Sequence, residues 1–163
     1  MSVKKPKLDL DNARWPEQKA TMQACLDAGE SPFLLDNLTK YHHQPVIKTG
    51  KYWYITPNQW PYDHTHQHYL IIATQYWTRL DQITPEAGAE LVTLAAWLRA
   101  ELDCPGGALC IRFGDTDYSG ATIDHLHWQF IVPDVGAPDY DRVHFTVGKK
   151  PEKLGTRSSC TPQ

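Results

Sequence analysis

The chain has 163 residues, enough for one domain of ordinary size and too few for two independent cores. Its 41% hydrophobic and 21% charged residues, with 6 Trp, 8 Tyr and 4 Phe, are those of a globular chain and exclude general disorder. Sixteen Lys and Arg against nineteen Asp and Glu leave a net charge of −3, which excludes a broad basic surface for a nucleic-acid duplex. The longest apolar run, Leu94-Ala95-Ala96-Trp97-Leu98, falls far short of the roughly 20 residues that a membrane-spanning helix needs. The Lys-rich start lacks the apolar stretch of a secretory signal, so the expected compartment is the cytoplasm. Cys25, Cys104, Cys110 and Cys160 show no Cys-x-x-Cys spacing and read as reduced thiols, neither disulfides nor a zinc ribbon.

Taken in chain order, residues 1–15 read as a flexible leader, and 16–29 as a peripheral helix closed by Gly29. Val46-Ile47 and Tyr52-Trp53-Tyr54-Ile55 flank Lys48-Thr49-Gly50-Lys51, the pattern of a hairpin. A Pro-rich loop then leads to a buried strand over 66–73. The period changes at Thr84-Pro85-Glu86, an N-cap followed by proline in the first turn. Leu91, Leu94, Ala95, Leu98 and Leu102 follow at helical spacing, which predicts a helix over about 85–102.

Cys104-Pro105-Gly106-Gly107 stops that helix. Strands are predicted over 108–113 and 125–132, separated by a polar loop at 114–120. In the second strand Leu126, Trp128, Phe130 and Val132 share one face, and His125, His127 and Gln129 the other. Residues 142–147 suggest a last strand, and 148–163 a flexible tail. Strands in runs with one long helix between them argue for an α+β fold, an antiparallel sheet covered on one face by helix. No Gly-x-Gly-x-x-Gly or Walker A loop supports a parallel nucleotide-binding sheet.

The eight histidines are the compositional oddity: 42, 43, 64, 66 and 68, then 125, 127 and 144. His125-Leu126-His127-Trp128-Gln129 sets two imidazoles and an amide along one strand face, roughly 6.5–7 Å apart, a spacing that suits groups gripping different oxygens of a phosphate chain. An imidazole at neutral pH serves as nucleophile, base or cation, whereas glutamine offers a fixed donor and acceptor.

This row resembles the signature of the histidine triad (HIT) superfamily, His-φ-His-φ-His-φ-φ with φ apolar, except that the third His is Gln129. The resemblance runs from the 46–55 hairpin to Pro133. His68-Tyr69-Leu70-Ile71-Ile72-Ala73 occupies the place of the family's His-x-Leu-Val-Ile-Pro strand, and Gly120-Ala121-Thr122-Ile123-Asp124-His125-Leu126-His127 that of its Gly-x-Ser/Thr-x-x-His-x-His loop. It implies a HIT-like antiparallel sheet with one long helix packed on it and a peripheral N-terminal helix, as a single domain over 16–147.

The resemblance also implies an enzyme in which His127 attacks the α-phosphorus of a nucleotide substrate and carries it as a nucleotidyl-imidazole, splitting one displacement into two. By the same resemblance His125 orients the site, Gln129 holds a non-bridging oxygen, and His68 assists from the neighbouring strand. Thr122 and the backbone near Gly120 cradle phosphate. No metal or organic cofactor is required, because imidazole and amide donors stabilise phosphoryl charge by preorganised electrostatics. Homodimerisation is implied by many relatives.

The sequence departs from the family where Ala73 and Thr74 replace Pro and Lys, and where Tyr76 or Trp77 replaces a His. At the position of a phosphate- or ribose-contacting Asn stands Gly114 or Asp115, the latter a candidate substrate contact. Gln129 places the chain beside the His-x-His-x-Gln branch, similar to galactose-1-phosphate uridylyltransferase and dinucleoside tetraphosphate phosphorylase, which favours transfer or phosphorolysis of a dinucleoside polyphosphate or nucleotide conjugate. The alternatives are a hydrolase of phosphoramidates or dinucleoside polyphosphates, and a non-catalytic nucleotide- or metal-binding protein. His64, His66 and His68 alternate as zinc ligands do, with Asp63 beside them, yet no Cys or carboxylate motif completes a tetrahedral set. Arg112, Asp115 and Asp117 are weaker sugar or phosphate contacts, and Trp60, Tyr62, Tyr76 and Trp77 are candidates to stack on a base.

Overall fold

A computed structural model describes residues 6–154. After a short 3-10 turn at Leu10–Asn12 come α1 (Pro16–Ala28), α2 (Leu35–Tyr41), β1 (Lys48–Thr49), β2 (Trp53–Pro57), β3 (Thr65–Ala73), α3 (Pro85–Glu101), β4 (Ala108–Ile111), α4 (Thr116–Ser119) and β5 (His127–Pro133). The strands form one antiparallel sheet in the order β1-β2-β3-β5-β4. The class is α+β, as the run of strands around a single long helix implies. No helix among the described residues is long and apolar enough to cross a membrane.

The long helix forms where the sequence pattern places it. The Thr84 hydroxyl accepts the Ala87 N–H at 3.2 Å, Pro85 occupies the first turn, and Ala87, Leu91, Leu94 and Leu98 are the buried positions. They pack on Trp53, Ile55, Ile71 and Phe130 of the central strands and on Leu126 just before β5. Each such leucine, if fully buried, contributes about 1.5–3 kcal/mol. The Trp53 indole donates to the Ala87 carbonyl at 2.7 Å, which fixes the helix along β2.

The opposite face is not bare, which corrects the expectation of a sheet covered on one side. A second cluster of Leu8, Met22, Cys25, Phe33 and Leu38 packs on Tyr54, Leu70 and Ile72. The two N-terminal helices therefore cover the β2–β3 half of that face and leave the β5–β4 half to form a cleft. Cys25 and Cys104 are buried free thiols and Cys110 is half-buried.

The ends also differ from their predicted looseness. Leu8 is buried and bridges Ile123, and Asp9 N–H donates to the Thr122 carbonyl at 2.9 Å. Lys149 Nζ reaches Asp9 at 2.9 Å, Asp11 at 3.4 Å and Asp117 at 3.5 Å, tying the C-terminal segment to the N-terminal one. The predicted flexibility of 1–5 and 155–163, with Lys4, Lys5, Arg157 and Cys160, lies outside the described residues.

Residues 142–147 form no strand, contrary to expectation. The Thr146 carbonyl is taken by the Arg112 guanidinium at 2.7 Å and Lys149 N–H by Asp117 O at 2.9 Å. The segment therefore borders the cleft instead of lying along the free edge of β4. Strand β4 stops at Ile111 and β5 starts at His127, each two residues short of the alternation in sequence. Helix α2, with no side-chain cap, and the four-residue α4, capped by Asp115, are too short for periodicity to announce.

Candidate functional site

The cleft over β3, β5 and β4 encloses about 700 Å³ and is lined by His127, Gln129, Arg112, Phe33, Trp60 and Tyr62, among others. Strand register assembles its floor. Leu70 pairs with Gln129 and Ile72 with His127 on one side, and Cys110 with Gln129 on the other, so one step beyond the end of β4 Arg112 comes beside His127.

The His127 ring is fixed by its own backbone. Its Nδ1 lies 2.8 Å from the His125 carbonyl, which can only accept, so Nδ1 carries the proton and Nε2 keeps its lone pair. The edge of Phe33 holds the ring from the side at a centroid distance of 5.0 Å. Burial pushes the His127 pKa down to about 4, the bond to His125 opposes the shift, and the Arg112 charge adds to it. The imidazole is thus neutral and nucleophilic throughout the physiological range.

His125 is fully buried and absent from the cleft wall. Its Nε2 donates to the Ala73 carbonyl at 2.8 Å, and its Nδ1 accepts from the Ser31 hydroxyl at 2.9 Å. Ser31 and Phe33 thereby join a segment some ninety residues away to the root of β5. That connection is invisible in sequence.

His68 and Gln129 form one unit. The Tyr62 N–H donates to His68 Nδ1 at 3.0 Å, which leaves His68 Nε2 to donate to Gln129 Oε1 at 2.6 Å. The Gln129 oxygen is therefore occupied and its amide nitrogen is the group left for a ligand in the cleft. Burial pushes the His68 pKa down to about 4 as well. The Asn58 amide nitrogen, unannounced by any sequence pattern, lies 3.1 Å from His68 Nε2.

Gly120 lines the cleft, with its amide engaged inside the loop. Gly120 N–H donates to the Thr116 carbonyl at 2.9 Å and Ala121 N–H to Ser119 Oγ at 3.3 Å, so neither amide is directed at a phosphate. Gly120 has φ +69°, and a Cβ there would meet the Gly148 carbonyl at 2.8 Å, which is why glycine is required. Thr122 does line the cleft. Asp115 does not; it caps α4 by accepting from Asp117 N–H at 2.9 Å and faces Lys7 at 3.8 Å. Its acidity serves the helix start, where sequence alone offers no means of separating a cap from a ligand.

His64, His66 and His68 do not converge. His66 is exposed at an irregularity of β3 pairing, and His64 sits in the preceding turn with φ +61°. Among the described residues no group of three or more His, Cys, Asp or Glu is arranged to hold a metal ion. Of the candidate stacking residues, Trp60 and Tyr62 line the cleft, Trp77 lies in the core, and Tyr76 donates to Asp124 at 2.8 Å.

His127 on β5 thus stands beside an amide two residues on, and the β3 histidine is bonded to that amide. The fold is similar to those of solved histidine triad proteins. No protein-family model matches the sequence, and no curated protein does. Among solved structures, a hypothetical protein from Leishmania major is similar at 14% identity, covering 71% of this chain and 82% of that one with a TM-score of 0.51. A HIT-like protein is similar at 22% identity over 56% of this chain and 87% of its own, TM-score 0.48. The diadenosine triphosphate hydrolase of Plasmodium falciparum is similar at 19% identity over 55% and 61% of the two chains, TM-score 0.46. The cleft of this chain carries the His68–Gln129 unit and two arginines, Arg112 and the unforeseen Arg14.

Proposed function

We propose that the protein transfers a nucleotidyl group from a phosphoanhydride through a covalent intermediate on His127. The observation that carries this reading is the orientation of His127, whose Nδ1–H is bound to the His125 carbonyl at 2.8 Å while the ring borders a cleft of about 700 Å³. Nε2 attacks the α-phosphorus; a P–N bond forms, the P–O bond to the leaving group breaks, and the leaving phosphate takes the electron pair. An oxygen of the acceptor then displaces His127, with its proton passing to solvent when the acceptor is water. The Gln129 amide and the Arg112 charge stabilise the equatorial oxygens.

Transfer or phosphorolysis is favoured over cleavage of poor leaving groups. Among the described residues, the strand neighbours of His127 offer it no free acid: Gln129 does not ionise, His68 has both ring nitrogens engaged, and His125 is buried outside the cleft. The leaving group must therefore be stable as an anion, as a phosphate chain is.

The test is incubation with diadenosine tetraphosphate, with and without inorganic phosphate, for the native protein and His127→Ala, with products resolved by anion exchange. Phosphate-dependent ADP plus ATP supports the phosphorylase reading, and AMP plus ATP without phosphate makes the protein a hydrolase. Full activity in His127→Ala overturns the mechanism.

A further inference from the structure

The cleft is charged against the trend of the chain. The whole protein carries −3, yet five Lys or Arg and only three Asp line the cleft. Two of those cations are built around one aromatic ring. The Arg14 guanidinium lies 4.4 Å from the Tyr62 ring centroid and donates to the carbonyls of Trp60 at 2.6 Å and Pro61 at 3.1 Å. Arg112 donates to the Tyr62 hydroxyl at 2.7 Å and to the Thr146 carbonyl at 2.7 Å, and stacks on Phe145 at 3.9 Å.

Every one of these partners is neutral. Among the described residues neither arginine forms an ion pair with a carboxylate, and the Arg112 Nε is buried with no hydrogen-bond partner. Two guanidinium charges held close together repel one another, and this costs stability unless an anion joins them. Carbonyls and aromatic faces orient the guanidinium groups, and the charge of Asp63 favours Arg14 without forming an ion pair with it.

We infer that Arg14 and Arg112, clasping Tyr62, form a guanidinium clamp for the phosphate chain of the substrate and set specificity for a leaving group that is itself a phosphate chain. The inference rests on the reading of nucleotidyl transfer at His127 and names the feature of the substrate that this site selects. The α-phosphate of a phosphoramidate carries a single charge, too little to engage both cations. A chain of three or four phosphates supplies several charges, and His127, Arg112 and Arg14 line one cleft. Guanidinium groups suit this role because their planar N–H pairs match phosphate oxygens.

The binding test uses inorganic tripolyphosphate, measured by titration calorimetry on the full chain, with orthophosphate as the short comparison. Arg14→Gln and Arg112→Gln are each expected to weaken tripolyphosphate binding about 10- to 100-fold, the loss of one charge-assisted contact. Arg112 also holds the Thr146 segment, so Arg14→Gln at the rim keeps the test decisive if Arg112→Gln fails to fold. Unchanged tripolyphosphate affinity in Arg14→Gln, or equal affinity of the native protein for orthophosphate and tripolyphosphate, overturns the clamp.

The kinetic test compares kcat/KM for diadenosine tetraphosphate with that for adenosine 5′-phosphoramidate. The ratio is expected to fall at least tenfold in Arg14→Gln; equal loss on both substrates in that variant overturns the specificity role. If His127-dependent turnover is absent while tripolyphosphate binding still depends on the arginines, the catalytic reading fails and the clamp stands. If turnover is present and indifferent to Arg14→Gln, the clamp fails and the catalytic reading stands.

Discussion

His68 donates through Nε2 to the side-chain oxygen of Gln129 at 2.6 Å, and that one bond decides which end of the Gln129 amide remains for a ligand. His68 is in turn fixed by the Tyr62 N–H on its other nitrogen. The pair therefore turns a symmetric-looking amide into a one-way donor.

Gln129→Glu should expose the consequence. A carboxylate still accepts from His68, so the fold is kept, but it has no N–H for a phosphate oxygen and adds a negative charge at the reaction centre. A kcat/KM lower by about 10²–10³, the usual effect of losing one preorganised donor, is expected with little change in thermal stability. Steady-state kinetics together with a melting curve checks this, and undiminished turnover would remove Gln129 from the site's chemistry.

His125 acts through position. Its ring joins Ser31 to the Ala73 carbonyl in a fully buried setting, and its own carbonyl orients His127. His125→Ala leaves a cavity and two unsatisfied buried groups, so a loss of about 3 kcal/mol is expected by urea denaturation. Ser31→Ala removes only one hydroxyl and should cost about 1 kcal/mol. If His125→Ala is as stable as the native protein, the bridging role is wrong.

Sequence reasoning reached the parts of this molecule written in local patterns. Thr84-Pro85 and the leucine spacing specify α3, and the alternation in β5 separates Trp128, Phe130 and Val132 from His127 and Gln129. What it missed is built from distant contacts. Ser31 meets His125 and Arg14 meets Tyr62 because the N-terminal helices fold over the second face of the sheet, and no spacing encodes that. The hydrogen bonds of the Gly120 loop and Asp115 were not legible for a related reason: a backbone amide or carboxylate in a loop looks alike in sequence whether it faces a ligand or closes a short helix.

The buried histidines make stability depend on pH in a defined window. Burial lowers His42, His68, His125 and His127 from 6.5 to about 4. Between those values the unfolded chain binds protons that the folded chain refuses, so acid favours unfolding. Their contribution is fully present above about pH 6.5 and is lost as pH falls toward 4, by up to about 1.4 kcal/mol per pH unit for each histidine. Urea midpoints should be flat from pH 7 to 8 and drop between pH 6.5 and 4.5. A midpoint that stays constant down to pH 4.5 would contradict the neutral, buried state of these rings.

Lys149 fastens the C-terminal wall of the cleft. Its ammonium is nearly enclosed by Asp9, Asp11 and Asp117, and Asp9 also accepts from the Thr116 hydroxyl at 3.1 Å, so one cation links three chain segments. Salt bridges raise the Lys149 pKa well above its usual range, so it stays charged at any working pH. Lys149→Met keeps the aliphatic stem and removes the fastening. Residues 142–154 should then exchange their amide hydrogens faster, while β3 and β5 keep their protection. Because Thr146 in that segment holds the Arg112 guanidinium, the KM for a dinucleoside polyphosphate should rise severalfold, with a smaller change in kcat. Hydrogen exchange read by mass spectrometry and a KM measurement on the same variant decide the point: unchanged exchange in 142–154 would show that the wall is held by other contacts.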